Sequence, residues 1–462
     1  MALPLPSTAL PPARPFPPNW RLSLLIGLYE ALWHLLLPLV LLFLWRRGRR
    51  EPLYRQFWSE RWGRTHTALD RPLWVHSASM GEIRGAAPLV HALLAAGYPV
   101  LITTVTPAGR SAAQKLFEPS IAAGRAQVAF MPFELGWVVR RLIRQVRPRA
   151  AIMTEIDTWP VLLTTLRRQG VALCIVNAQY PKKSIVRDQR WGGFRAALFQ
   201  AYELVLCKSE THAQRFRQVG CERVLVAGET RFDLPVAPQQ LACAQVLLRQ
   251  WGLDRRPVVC FASAVAGEDE LFMQAFEQVQ SGLAQAGFSR ALFVYVPRSP
   301  QRFDAVAQLF QTAGLRVARR SLILDASLQA RPDAPDMYGI DVLLGDSLGE
   351  MYFYLALSQV VVVGASFVPL GAHNVIEPLA LKKPVMVGPS IWGIEYPGVE
   401  ALAAGVLQQH MNIASLSTAL LKLLTDRSAY ASAMAGAQAF YAEHGGATQK
   451  HMHVLQTWLE QR

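Results

Sequence analysis

Short runs of β-branched and aliphatic residues alternate with helix-forming stretches along most of this chain, and that alternation constrains its fold more than any other feature. The runs at 73–76, 100–103, 128–131, 150–153, 173–176, 204–207 and 224–227 are apolar at nearly every position. A strand with water on one face alternates apolar and polar residues, whereas an uninterrupted apolar strand is covered on both faces. Amphipathic segments such as 83–96 and 136–146 separate the runs, so the pattern predicts a parallel sheet flanked by helices. Near 234–240 the chain turns rich in Pro and Gln, and the rhythm restarts with runs at 258–262, 291–296, 342–344, 360–363 and 385–387. The expected fold class is therefore α/β, with two Rossmann-like domains facing a central cleft. Expected boundaries are 1–50 for a leader and anchor helix, 51–235 for the first domain and 255–462 for the second. A last helical region, 415–459, is expected to break near Gly436 and Gly445-Gly446 and to cross back to the first domain. In open parallel sheets, ligands bind beyond the carboxyl ends of the strands, so residues that follow strands are the place to look for chemistry.

Charge narrows the class of partner. Lys plus Arg outnumber Asp plus Glu by 47 to 33, a formal charge of +14. Such an excess attracts phosphates, whether in nucleic acid, anionic lipid or a sugar nucleotide. No nucleic-acid-binding motif is present. The densest basic cluster, Arg46-Arg47-Gly48-Arg49-Arg50, adjoins an apolar stretch, which favours a membrane surface. The five cysteines show no C-x-x-C spacing and several lie in strand-like runs, so they read as buried thiols in a reducing compartment.

Residues 1–20 are rich in Pro and are expected to lack regular structure. From Leu22 to Trp45 the chain is almost continuously apolar, long enough as a helix to cross a bilayer core of about 30 Å. The arginines that follow place the rest of the protein in the cytoplasm. Glu30, His34 and Pro38 recur every four positions and share one helix face, so the segment either spans the membrane or lies in its interface with that face toward the headgroups.

Three groups of residues carry candidate chemistry. The first is His76-Ser77-Ala78-Ser79-Met80-Gly81-Glu82, between a strand and a helix, where Gly81 permits a tight turn. Glu82 reads equally as a general base or as an acid that favours the positive helix end. The second is Met153-Thr154-Glu155-Ile156-Asp157-Thr158-Trp159-Pro160, two acids and an aromatic directly after a strand. The third comprises Pro297-Arg298-Ser299-Pro300, Gly345-Asp346-Ser347-Leu348-Gly349-Glu350, Gly364-Ala365-Ser366 and Gly371-Ala372-His373-Asn374-Val375-Ile376-Glu377-Pro378. Glycines after strands let backbone amides approach a phosphate, and Arg298 can pair with it. Asn374 and Glu377 share a helix face and can hydrogen-bond a ribose and a phosphate. There is no D-x-D metal signature, spaced His/Cys cluster, nucleophile elbow or Walker loop, so a metal-independent group transfer without a cofactor is expected.

In order from Arg61 to Pro389, these blocks resemble the 3-deoxy-D-manno-octulosonic acid (Kdo) transferases of lipopolysaccharide biosynthesis. Thr103-Thr104-Val105-Thr106-Pro107-Ala108-Gly109 and Gly228-Glu229-Thr230-Arg231-Phe232-Asp233 add to the resemblance. It implies a GT-B fold and an inverting transfer of Kdo from the donor CMP-Kdo to a glycolipid acceptor, a lipid A precursor, at the cytoplasmic face of the bacterial inner membrane. Glu82 falls on the family's base. Arg298, Gly345, Ser347, Gly349, Glu350, Ser366, Asn374 and Glu377 fall where the family binds CMP, and Ser79, Gly81, Thr104, Glu155 and Trp159 on the acceptor side. The chain departs from the family pattern at Asp157 (usually Glu), Val161 (Asn), Gln179 (Arg), Ser299 (His) and Ala372 (Gly). Those departures leave open a divergent transferase with another acceptor or acidic CMP-sugar, and a nucleotide or glycolipid binder without turnover. A sugar-nucleotide epimerase, also built on paired Rossmann-like domains, has no use for an anchor.

Overall fold

Two seven-stranded sheets, parallel at every pairing, organise the chain. A computed structural model describes residues 16–190 and 192–462, so most of the Pro-rich leader lies outside the described residues. The first sheet comprises β1 (Leu73–His76), β2 (Val100–Thr104), β3 (Ala126–Phe130), β4 (Ala150–Thr154), β5 (Ala172–Ala178), β6 (Leu204–Cys207) and β7 (Val224–Val226). Its order is β3-β2-β1-β4-β5-β6-β7. Successive residues face opposite sides of a strand. Accordingly Leu73 and Val75 enter one core while Trp74 enters the other, and Leu101 and Ile102 divide the same way. Burial on both faces is what the uninterrupted apolar runs anticipate.

The second sheet comprises β8 (Val258–Ala264), β9 (Leu292–Pro297), β10 (Val317–Arg319), β11 (Val342–Leu344), β12 (Val360–Val363), β13 (Val385–Val387) and β14 (Leu407–Gln409), in the order β10-β11-β9-β8-β12-β13-β14. Its core is aromatic, with Phe276 stacked on Phe293 at 4.1 Å and Phe261 and Tyr295 close by. The two edge strands, β10 and β14, are absent from the sequence reading. Each has three residues and includes polar ones, because an edge has only one strand neighbour to satisfy.

Two compact units divide the chain. The first unit takes the chain up to Leu234 together with Gly445–Arg462, and the second is Pro235–His444. The helix Ala447–Glu460 thus packs in the first unit, burying Leu455, Trp458 and Leu459 in one of its cores. Asp233 caps the start of that helix, accepting from Gly446 N at 2.7 Å and Thr448 N at 2.5 Å. Gly436 does not break the preceding helix, which runs unbroken over Arg427–His444. The region breaks instead at Asp426, which ends the helix Ile413–Thr425, and at Gly445-Gly446, where Gly446 holds φ 75°.

The first helix, Trp20–Arg47, is long and apolar enough to cross a membrane. It also lies against the first unit. Leu22, Ile26 and Leu44 are buried, and Trp33, Leu37, Val40 and Leu41 pack on a cluster formed with Tyr54, Phe133, Leu135 and Val138. The opposite face exposes Leu24, Leu25, Leu28, Leu32, Leu35, Leu39, Leu42 and Phe43. Glu30 parts from His34 and Pro38, the other two residues of its four-residue repeat. It turns inward and accepts Gly136 N at 2.7 Å, whereas His34 and Pro38 stay exposed.

Candidate functional site

In the first sheet the strand order reverses between β1 and β4, and a crevice at the carboxyl ends follows from such a reversal. The first two sequence groups flank that point, since β1 ends at His76 and β4 at Thr154. Ser79 caps the helix Met80–Ala95 and closes a capping box with Glu82: Ser79 Oγ donates to Glu82 Oε1 at 3.1 Å, and Glu82 N donates back to Ser79 Oγ at 3.4 Å. Ala78 N donates to Glu82 Oε2 at 2.7 Å. Glu82 therefore does cap the helix, and it is also half-buried at the crevice. Burial, and after it the charge of Glu155, raise its pKa against the pull of those hydrogen bonds and of Arg231.

Glu155 follows β4 with φ 60°. Gln179 Nε2 donates to it at 2.8 Å, Arg231 Nη2 at 2.6 Å, and Lys208 Nζ stands 3.7 Å away. Burial works against this carboxylate, but Lys208 and Arg231 outweigh it and hold its pKa below the ordinary range. Lys208, 2% exposed at its side chain, also pairs with the buried Glu229 at 2.5 Å. Asp157 is pushed the other way, well above the usual carboxylate range, by burial and then by the charges of Glu82 and Glu155. Its Oδ2 lies 3.6 Å from His76 Nε2, and neither atom has a hydrogen-bond partner. Burial lowers His76 to about 3, so the imidazole is neutral. Trp159 stands edge-on to that ring at 6.1 Å. One crevice thus holds a fixed carboxylate (Glu155) and two acids of raised proton affinity (Glu82, Asp157).

Two of the expected acceptor-side residues act differently from the sequence reading. Gly81 lies in the first helical turn with no positive φ, and an added Cβ would meet nothing nearer than Ser79 Oγ at 3.9 Å. No tight turn demands this glycine. Its carbonyl accepts from Arg231 Nη2 at 3.2 Å, and it is Gly85 that makes room for the Arg231 side chain, 2.7 Å from where a Cβ would stand. Thr104 is buried, and its hydroxyl donates to Ala78 O at 3.0 Å, tying β2 to the capping loop. Of the residues gathered here, Lys208 lies in none of the sequence groups, and His76, Gln179, Glu229 and Arg231 lie in quoted segments without a role assigned to them. Lys208 follows β6 as Glu82 follows β1, so position after a strand was the signal that pointed to it.

The second sheet reverses between β8 and β12. There the expected phosphate-binding amides are already occupied. Glu268, 0% exposed, accepts from Val265 N (3.0 Å), Ala365 N (2.8 Å), Ser366 N (3.0 Å) and Phe367 N (3.0 Å). The loop after β12 is an anion nest filled by the protein's own carboxylate. The Ser366 hydroxyl is likewise spent inside, donating to Val363 O at 2.6 Å and accepting from Gly388 N at 2.8 Å. Gly364 is required because a Cβ would stand 2.6 Å from Ser263 O.

Other members of the third group remain outward. The Arg298 side chain is exposed, and among the described residues it has no ion pair. Burial, and then the Arg298 charge, lower His373 to about 4; its Nε2 has no partner. Asn374 is exposed, with Oδ1 accepting from Ile376 N at 2.9 Å, and Glu377 begins the same short helix, Ile376–Ala380. Gly345 packs so closely that a Cβ would stand 2.9 Å from the Tyr354 ring, and Gly349 adopts φ 83°. Ser347 contacts Glu350 and bonds Tyr354 Oη at 2.5 Å, while Arg320 grips Glu350 through two bonds of 2.6 Å. Among the described residues, no group of three or more His, Cys, Asp or Glu is arranged to hold a metal ion, and all five cysteines are free and buried.

Comparison with known proteins bears on this arrangement. A family model described as 3-deoxy-D-manno-octulosonic-acid transferase (kdotransferase) matches residues 56–234. The chain is 36% identical over 441 residues to the 3-deoxy-D-manno-octulosonic acid transferase of Bordetella pertussis, covering 94% of this chain and 99% of that one. It is 28% identical over 443 residues to the Haemophilus influenzae protein of the same name, covering 94% and 98%. Among solved structures, a putative UDP-N-acetylglucosamine 2-epimerase from Listeria monocytogenes aligns with TM-score 0.56 at 15% identity, over 85% of this chain and 98% of that one. A glycosyltransferase from Rickettsia africae aligns with TM-score 0.54 at 12% identity, over 85% and 99%. At such identities these two show a shared fold alone.

Proposed function

Because the chain belongs to the 3-deoxy-D-manno-octulosonic acid (Kdo) transferase family of glycosyltransferases, we propose that it moves Kdo from CMP-Kdo to a lipid A precursor with inversion at the anomeric carbon. Glu82 is the base in this reading. An acceptor hydroxyl oxygen attacks the anomeric carbon while the bond from that carbon to the CMP phosphate oxygen breaks. The hydroxyl proton passes to Glu82, and CMP leaves with the bonding electrons. The supporting observation is the state of Glu82, a half-buried carboxylate whose proton affinity burial and Glu155 raise. A base at neutral pH works best with a pKa near the working pH. Glu155, kept charged by Lys208 and Arg231, orients polar groups of the acceptor, and Asp157 takes the place of the longer acid the family usually carries.

In the second unit the exposed Arg298 guanidinium is the natural partner of the CMP phosphate, with Asn374 and Glu377 toward the ribose. The amides that Glu268 occupies are not available to that phosphate, so Glu268 shapes the donor loop from behind. No metal or cofactor takes part. The exposed leucine face of the first helix and the arginines after it hold the protein at the cytoplasmic surface of the inner membrane, where such a glycolipid is found.

The test is transfer in vitro with CMP-Kdo, a tetraacylated lipid A precursor and detergent-solubilised full-length protein, read by mass spectrometry. A product heavier by one or more Kdo units is expected. Glu82→Gln is expected to lower the rate at least ~100-fold, the usual worth of a general base. Unchanged transfer by Glu82→Gln would remove Glu82 from the mechanism. CMP binding without any product would instead favour a binder.

A further inference from the structure

Along the first helix, the side chains that meet protein fall at positions 22, 26, 30, 33, 37, 40, 41 and 44. Those steps of three and four trace one face over the whole length of the helix. Leu22 and Ile26 enter one core of the first unit near the amino end, and Leu44 packs with Tyr54, Phe133, Leu135 and Val138 near the other. Between them Glu30 accepts Gly136 N at 2.7 Å, and Gly136 is required there because a Cβ would stand 2.8 Å from Glu30 Oε1. Arg55 Nε donates to Trp45 O at 2.9 Å and so folds the segment after the helix back onto it. Leu25, Leu32 and Leu39 stand exposed on the opposite face.

This arrangement accounts for a helix that lacks a polar face. Protein covers one side, and the other presents leucines that water disfavours. A helix docked at both ends cannot cross a bilayer without drawing its partners into the hydrocarbon. The exposed Arg140 and Arg168 line a small cavity with Ile26 and Glu30, and arginine is among the side chains that hydrocarbon excludes most strongly. Arg21, exposed at the amino end, answers the arginines at the carboxyl end, whereas a crossing helix keeps its positive charge mainly on one side. Crossing by undocking would instead give up the burial of Leu22, Ile26 and Leu44.

At the carboxyl end, a groove of about 870 Å³ is lined by Leu39, Leu42 and Phe43, by the arginines of the 46–50 cluster and by Glu51. None of these arginines makes an ion pair among the described residues. Arg47 lies over the Tyr54 ring at 4.9 Å and Arg49 over Trp45 at 4.6 Å, contacts that hold two of the guanidinium groups in place. An apolar wall beside uncompensated positive charge fits a phosphodiester that carries acyl chains.

We propose that the first helix lies in the plane of one leaflet, its leucine face immersed and its other face on the first unit, and that the groove at its carboxyl end takes the phosphate of an anionic phospholipid. Neither end of the helix then reaches the far side of the membrane. The contact fixes the tilt of the first unit over the leaflet, which a single crossing helix on a flexible link would leave free. The proposal rests on the membrane placement given above.

The experiment uses full-length protein on vesicles of phosphatidylethanolamine and phosphatidylglycerol, with a spin label attached in turn through Leu25→Cys, Leu32→Cys and Leu39→Cys. Power saturation with oxygen and a nickel chelate reads the depth of each label. The three depths are expected to agree within about 5 Å, as for a helix lying in the interface. A crossing helix would set Leu32→Cys roughly 10 Å deeper than one or both of the others, at 1.5 Å per residue, and that result overturns the in-plane helix. For the groove, Arg46→Gln combined with Arg50→Gln is expected to weaken binding to phosphatidylglycerol-containing vesicles roughly 30-fold and to leave binding to pure phosphatidylcholine vesicles unchanged. Arg249→Gln with Arg255→Gln, the same loss of charge in the second unit, is expected to change neither. Undiminished binding in the first pair, or an equal loss in the second, overturns the groove. Wild-type protein that binds neither kind of vesicle overturns the membrane placement itself, a result visible before any variant is made.

Discussion

Ser263, Ala365 and Ala372 hold left-handed backbone, with φ of 61°, 62° and 63°, around the ends of β8 and β12. For a residue with a Cβ that conformation costs roughly 1–2 kcal/mol. Ala372 N is bonded to Ala365 O at 2.9 Å and His373 N to Gly364 O at 3.1 Å, contacts that keep the loop in place despite the cost. Ala372→Gly is expected to raise unfolding free energy by about 0.5–1 kcal/mol, the relief of strain less the extra entropy of an unfolded glycine. Urea unfolding measures it; a midpoint at or below that of the parent would mean that neighbouring contacts, and not φ, decide the loop's stability. At this same scale the sequence left Glu82 with two readings. Its capping bonds are formed and its proton affinity is raised, so capping the helix does not exclude service as a base. Nothing local announced the Lys208–Glu155–Glu229 network, because those residues follow different strands and meet only once the sheet forms.

Among the elements, the strands were the most legible. The runs at 73–76, 204–207, 342–344, 360–363 and 385–387 match β1, β6, β11, β12 and β13 end to end, because a strand buried on both faces can be read from composition alone. The first helix was legible in length but not in orientation. Its apolar character is nearly uniform, so periodicity does not say which face meets protein. Glu134, buried after β3 and accepting Val161 N and Leu162 N at the start of the helix Pro160–Arg168, has a measurable signature. Its folded pKa of about 7 lies above the unfolded value, so between about pH 4.5 and 7 the folded state binds the extra proton and stability falls as pH rises. For a fully buried group the loss is on the order of 3 kcal/mol. Urea titrations at pH 5 and pH 8 are expected to show a smaller difference for Glu134→Gln than for the parent. An equal difference would mean that burial does not govern this carboxylate.

For the whole molecule, the chain's return to its first unit is the decisive feature. Leu455, Trp458 and Leu459 fill a core built mainly from residues before Leu234, and Arg149 Nη2 donates to Leu459 O at 2.8 Å. His451 joins the support of the site, accepting Asn177 N at 3.3 Å through Nε2 while its Nδ1 bonds Ala447 O. Three fully buried side chains contribute roughly 1.5–3 kcal/mol each, together a sum comparable to the whole stability of a domain. A chain ending at His444 is expected to lose protease resistance over its first unit and to keep it over residues 235–444. Equal resistance in both units would show that the terminal helix is dispensable.

The sequence by itself determined the α/β class, the parallel character of both sheets, the apolar first helix and the family, because each rests on residue types in order along the chain. Only the tertiary structure decided which residues share a site and what each one is free to do. Lys208 and Arg231 hold Glu155 below the ordinary range while burial raises Asp157, Glu268 fills the amides expected to meet a phosphate, and Glu30 reaches Gly136 N across more than a hundred residues. Those outcomes depend on desolvation and on partners distant in sequence, and neither exists until the chain has folded.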